Sequence, residues 1–189
     1  MEISDIDAYL KEGSRVRLAI DKNQVYDIGL KIYESIKKGG KILIMGNGGS
    51  AADAQHIAAE FVGKFLKERR ALPAMALHTN TSVLTAIAND YSYDDVFARQ
   101  IEAFAKPGDV VIGISTSGNS RNVLKAIDKA NSLGCLTVGL TGRSGGKLKD
   151  AAKAVIRVDS DSTPIIQEMH ITIGHILSNI VEDLVKMEA

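Results

Sequence analysis

The sequence predicts an α/β fold: an open, parallel five-stranded sheet flanked by helices on both faces, with N-terminal helices ahead of it. Three observations lead there. Five short apolar runs, KILIMG (41–46), PAMAL (73–77), DVVIGI (109–114), CLTVGL (135–140) and AVIRVD (154–159), have the length and residue types of buried strands. Segments with helical spacing separate most of them, the arrangement of a parallel sheet covered on both sides. Two of the runs also share a plan, KILIMGNGGSAADAQHIA and DVVIGISTSGNSRNVLKAI, in which an apolar strand meets a Gly/Ser/Asn turn and then a helix.

The first forty residues read as two helices. Ile3, Ile6, Tyr9, Leu10, Val16 and Leu18 recur at helical spacing, as do Val25, Ile28, Leu30, Ile32, Tyr33 and Ile36, and Gly39-Gly40 closes the second. A helix is expected from Ser50, as its cap, to about Leu66. Further helices are expected over TSVLTAIAND, over 120–133 and, as a long closing helix, from about Pro164 to Val185. Arg69-Arg70 with Lys67 reads as a solvated loop, and TGRSGGK (141–147) as a plain connection. No linker, low-complexity tract or charge block interrupts the chain. Its 189 residues suit one domain, residues 1–189, with an N-terminal helical segment of about 1–39.

Composition narrows the function. Lys plus Arg and Asp plus Glu number 23 each. A nucleic-acid binder is usually basic, so nucleic acid is not an expected partner, and a bound anion must be held by local groups. Cys135 is the single cysteine, which fits a reducing, cytoplasmic setting. The N-terminus has neither the basic start nor the apolar run of a signal peptide, and no stretch reaches the roughly 18 apolar residues of a membrane span.

The chemistry concentrates in the turns. STSGNS (115–120) offers the hydroxyls of Ser115, Thr116, Ser117 and Ser120, with a glycine that lets backbone approach a ligand. The helix start that follows presents N–H groups and the positive end of its dipole. This describes a neutral phosphate cradle. The lysine of a P-loop and the spacing of a dinucleotide fingerprint are both missing. An ordinary βα loop with Ser120 as helix cap accounts for the same residues. GNGGS (46–50) would expose the backbone of Asn47, Gly48 and Gly49 on the same sheet edge, since ligands of open α/β sheets bind at the carboxyl ends of strands.

His56 and Glu60 lie four apart on the next helix and so share a face. Nitrogen and carboxylate donors suit zinc or a similar divalent ion. A hydrogen-bonded surface pair would show the same spacing. On the closing helix Gln167, His170 and His175 stand among apolar residues. Eight residues rise about 12 Å, so spacing alone favours His170 over His175 as a companion for Gln167. His78 reads as a loop residue.

Taken together, GNGGSAADAQHIAAEFVGKF, LPAMAL, LTAIANDY, GDVVIGISTSGNSRNVLKA, TVGLTGRSGGKL and IQEMHITIGHIL resemble the phosphoheptose isomerases, small proteins made of one sugar isomerase (SIS) domain. The resemblance runs from the N-terminal helices to the last helix. It implies interconversion of sedoheptulose 7-phosphate and D-glycero-D-manno-heptose 7-phosphate. It implies a metal, commonly zinc, on His56, Glu60, Gln167 and His175. It implies phosphate contacts from Ser115, Thr116, Ser117 and Ser120, and sugar contacts from Asn47, Gly48, Gly49, Glu60, Asn89, Asp90 and Gln167. Glu60 and His175 would perform the proton transfers of an enediol mechanism, which needs a base at carbon and an acid at the oxygens. Which of the two serves which step stays open. A homotetramer with sites at subunit interfaces is a further implication, which the apolar N-terminal helices and Ile171, Ile173, Ile176, Ile180 and Leu184 would suit. Family members often carry an arginine where this chain has Ile165. Two alternatives share these motifs. One is a non-catalytic SIS protein that binds a replication initiator, a type that typically lacks the acid and histidine present here as Glu60 and His175. The other is an isomerase of a different sugar phosphate.

Overall fold

A computed structural model describes residues 2–187. Two helices open the chain, α1 (Ile3–Leu18) and α2 (Lys22–Lys37). The five strands are β1 (Ile42–Met45), β2 (Ala74–Ala76), β3 (Val110–Ile114), β4 (Leu136–Thr141) and β5 (Ala154–Arg157). All pair in parallel, in the order β2-β1-β3-β4-β5. Every apolar run of the sequence is therefore a strand of one sheet, as expected.

The sheet is buried on both faces, which is why its strands are continuously apolar. Ile42, Ile44, Val110, Ile112, Val138 and Leu140 face one core. That core is closed by α2, by α3 (Gly49–Val62) and by the long α8 (Thr163–Met187). The alternate residues Leu43, Met45 and Val111 face the other core. There they meet α5 (Ala98–Phe104), α6 (Arg121–Ser132) and the short α7 (Leu148–Ala151), with α4 (Thr81–Asp90) packed against them at the edge. A 3₁₀ turn at Tyr93–Asp95 precedes α5. This turn, α5 and α7 are elements the sequence pattern does not announce, since each is too short to show a full helical period.

Several local expectations change. Ser50 is buried inside α3; the cap is Gly48, whose φ of 55° places it in the left-handed region. The helix ends at Val62, before the expected Leu66, with Gly63 as its C-cap. On α1 only Val16 is buried, while Ile3, Ile6, Leu10 and Leu18 are exposed in the single chain. Ile165 is a core residue at 3% exposure. Among the described residues no helix is long and apolar enough to cross a membrane.

Contacts between α3 and α8 set the stage for the site. Gly49 lies against Gln167, Ile57 against Gly174, His56 beside His175, and the backbone just after α3 meets Glu182. Numbers rise together on both helices, so the two run side by side in the same direction.

Candidate active site

Strand order places the change of direction between β1 and β3, because the chain winds outward from β1 to β2 and from β3 to β4. An open α/β sheet binds ligands in the crevice at this point, outside the strand carboxyl ends. The turns 46–50 and 115–120 flank it. They are joined by a reciprocal amide pair: Asn47 Nδ2 donates to Asn122 Oδ1 and Asn122 Nδ2 to Asn47 Oδ1, each at 2.9 Å. Tyr93 adds a hydroxyl donor to Asn47 Oδ1 at 3.1 Å.

The second turn is built without a charged side chain. Ser115 is buried and its Oγ lies 3.0 Å from Ser120 Oγ, while Thr116 and Ser117 are progressively more open. Ser120 occupies the N-cap position of α6 but makes no side-chain cap hydrogen bond. Its hydroxyl is thus spent on the turn, not on the helix, which separates the cradle from an ordinary capped loop. Gly118 has φ 66°, and a Cβ there would collide with the Gly145 carbonyl. That contact revises the role of TGRSGGK. Gly142 N donates to Thr116 O at 3.0 Å, Leu148 N to Gly118 O at 2.9 Å and Lys147 N to Asn119 Oδ1 at 3.1 Å. The segment is a backing that holds the cradle in shape.

Seven residues into α3, two turns from Gly49, the charged chemistry begins. His56 Nε2 lies 3.0 Å from Glu60 Oε1 and 3.4 Å from His175 Nε2. The three ligand-type atoms all fall within 4.8 Å of one another. The His56 and His175 rings meet edge to face at 4.9 Å, and Phe65 stacks on His175 at 5.4 Å with 26° between planes. Two imidazole nitrogens and one carboxylate oxygen form a donor set that fits zinc chemically.

The other expected residues are distributed as follows. Gln167 is two turns before His175, and its amide packs against Gly49 at the mouth of the first turn. Asn89 and Asp90 end α4, exposed, with Asn89 Nδ2 donating to Asp90 Oδ1 at 2.8 Å. His170, which spacing favoured, is fully buried, and burial pushes its pKa down to about 4 against a weak opposing contact with the Thr141 backbone. It stands in the core and not in the cluster, because five residues of helix turn it away from His175. His78 is half-buried, and burial lowers its pKa against a weak opposing contact with the Ala51 backbone.

Asp53 was not anticipated. It precedes His56 by three residues, and its Oδ2 is buried without a partner. Burial raises its pKa to about 6, against the opposing pull of His56. The i, i+3 spacing to His56 was the available signal. Asn122 and Phe65 gave none, since their roles depend on contacts 75 and 110 residues away along the chain.

Fold and site together define an open α/β protein with a hydroxyl-lined turn at its switch point and a His/Glu/His cluster on α3 and α8. A SIS domain model matches residues 8–142. The phosphoheptose isomerase of Geobacter sulfurreducens is 53% identical over 183 residues, covering 95% of this chain and 97% of that one. Two solved phosphoheptose isomerases superimpose over nearly the whole chain. That of Neisseria gonorrhoeae has a TM-score of 0.89 at 39% identity, covering 95% of this chain and 98% of its own. That of Francisella tularensis has 0.92 at 32%, covering 97% and 100%. The chain belongs to the phosphoheptose isomerase family of SIS-domain proteins.

Proposed function

We propose that this chain converts sedoheptulose 7-phosphate to D-glycero-D-manno-heptose 7-phosphate. The observation that carries the reading is the His56/Glu60/His175 cluster two helical turns along α3 from Gly49, whose turn is tied through Asn47 and Asn122 to the start of the helix after the neutral hydroxyl turn. Phosphate at Ser115, Thr116, Ser117 and Ser120 would leave the sugar to extend past Asn47, Gly48 and Gly49 toward the cluster. Asn89, Asp90 and Gln167 complete the proposed sugar contacts.

Isomerisation moves a proton between C1 and C2 through an enediol. Glu60 takes and returns the carbon-bound proton, and His175 serves the oxygens. His56, Glu60 and His175 would hold a zinc ion, with Gln167 as the fourth proposed ligand. When bound, such an ion polarises the carbonyl and offsets negative charge on oxygen. Gln167 starts two turns away in its own chain, which agrees with a homotetramer whose sites draw on more than one copy. The exposed apolar residues of α1 support the same assembly. The reading takes residues 1–189 as one domain, in the cytoplasm, where the buried, unpaired Cys135 would stay reduced.

The decisive experiment incubates pure protein with sedoheptulose 7-phosphate, with and without a chelator. Aldose product that disappears with chelator and returns with zinc is expected. No product even with metal restored would favour a non-catalytic sugar-phosphate binder. Turnover indifferent to the chelator would keep the isomerase and discard the metal. Faster turnover of another sugar phosphate would move the substrate assignment.

A further inference from the structure

Arg69 and Glu182 form a buried ion pair that nothing in the reaction above uses. Their side chains are 2% and 0% exposed, with Arg69 Nε 3.2 Å from Glu182 Oε1. This corrects the expectation that Arg69 lies in a solvated loop. Burying two charges is costly unless both are well engaged. Here the pair is held by charge and by many hydrogen bonds, with Arg69 Nε alone lacking a hydrogen-bond partner. Arg69 donates to four carbonyls: Nη2 to Glu60 O at 2.6 Å, and Nη1 to Phe61 O at 2.9 Å, Arg70 O at 3.0 Å and Gly63 O at 3.2 Å. The guanidinium therefore caps the carboxyl end of α3, where a cation also meets the negative end of the dipole. Glu182 accepts three backbone donors, Phe65 N at 2.9 Å, Leu66 N at 2.7 Å and Lys67 N at 2.8 Å. Burial works against its charge, but these donors and Arg69 outweigh burial and keep the carboxyl below its ordinary range.

The pair joins the end of α3 and residues 65–67 to α8, and both reach the cluster. Arg69 holds the carbonyl of Glu60 itself. Glu182 lies seven residues, or two turns, after His175 on the same face of α8. The backbone it grips carries Phe65, whose ring stacks on His175. We propose that Arg69 and Glu182 are positioning residues, a clamp that seats Phe65 on His175 and fixes Glu60 at the helix end, so that the three donor atoms converge. Neither touches substrate. The proposal rests on the cluster being the site of metal binding and proton transfer.

The test uses full-length Phe65→Leu, Phe65→Tyr and Glu182→Gln, each checked for native circular dichroism. Zinc affinity is read by chelator competition, the ligand field by absorption of the cobalt-substituted protein, and kcat and KM on sedoheptulose 7-phosphate. Phe65→Leu removes the ring from a partly exposed position without touching the buried pair, so it carries the test if Glu182→Gln does not fold. Glu182→Gln replaces one carboxylate oxygen with an amide nitrogen, which cannot accept from backbone N–H. Expected are zinc affinity 10–100-fold weaker and kcat 10–100-fold lower in Phe65→Leu and Glu182→Gln, the usual range for residues that orient metal ligands. KM should stay within about twofold, the cobalt spectrum should shift, and Phe65→Tyr should behave as wild type. Folded Phe65→Leu with unchanged zinc affinity, spectrum and kcat would overturn the clamp. Wild-type protein that binds no metal would overturn the metal reading alone, and kcat would still decide the clamp.

Discussion

The cradle at 115–120 and the cluster at His56, Glu60 and His175 are built by opposite means. Short-range contacts build the cradle: a helix start, a left-handed glycine and a hydroxyl pair five residues apart, backed by the 141–147 segment. The cluster joins residues 119 apart, on two parallel helices, and is braced by a buried ion pair whose partners are also more than a hundred residues apart. The difference teaches which chemistry each can supply. Backbone and hydroxyl groups hold an anion with no change of protonation, whereas imidazole and carboxylate side chains exchange protons or bind a metal. Substitutions in the cradle should therefore act on substrate binding, and those in the cluster on turnover.

Glu60→Gln should have the largest effect. It keeps the shape of the side chain and removes the base, so kcat should fall by about 10²–10⁴-fold with little change in KM. Steady-state kinetics on sedoheptulose 7-phosphate measures it. A normal kcat with a raised KM would break the division of labour.

The next effect sharpens the contrast along α8 itself, where buried His170 sits five residues before His175. Its folded pKa of about 4 lies below the 6.5 of an unperturbed histidine. The unfolded chain thus binds the proton more readily. Stability from this residue should be intact above pH 6.5, decline as pH falls toward 4, and level off below. The gap corresponds to about 3 kcal/mol. Asp53 acts in the opposite sense, since its raised pKa penalises the folded state above about pH 6 and relieves it as pH falls. Urea melts of wild type and His170→Leu from pH 7 to 4 isolate the histidine by difference; parallel curves would remove it.

Gly118→Ala should cost about 2 kcal/mol of stability, because alanine meets both a left-handed backbone and the Gly145 carbonyl. Urea unfolding reads this, and KM should rise with it. Unchanged stability would mean the backing segment yields. Ser120→Ala is the smallest. It removes one proposed hydroxyl donor to the phosphate, about 1 kcal/mol of binding, so KM should rise about 3–10-fold. Because Ser120 makes no cap hydrogen bond, stability should fall by no more than the lost contact to Ser115 Oγ, about 1 kcal/mol. A stability loss without a KM change would return Ser120 to a simple capping role.

The five strands were legible because burial on both faces demands continuous apolar runs, and the cradle because its residues are neighbours in sequence. His56 and Glu60 were half legible, as a shared helix face. Resemblance, not spacing, pointed to His175, since spacing favoured His170, which the helix turns into the core. Arg69 was misread because nothing near it in sequence reveals that Glu182 waits 113 residues on.

The sequence by itself determined the α/β class, the strand runs, the neutral anion turn and the His56–Glu60 face, all of which follow from periodicity or adjacency. Only the tertiary structure decided which histidine joins that face, that Asn47 and Asn122 tie the two turns, and that a buried pair braces the cluster. The physical reason is the parallel packing of α3 against α8. It converts a chain separation of more than a hundred residues into contact, and no local pattern encodes that register.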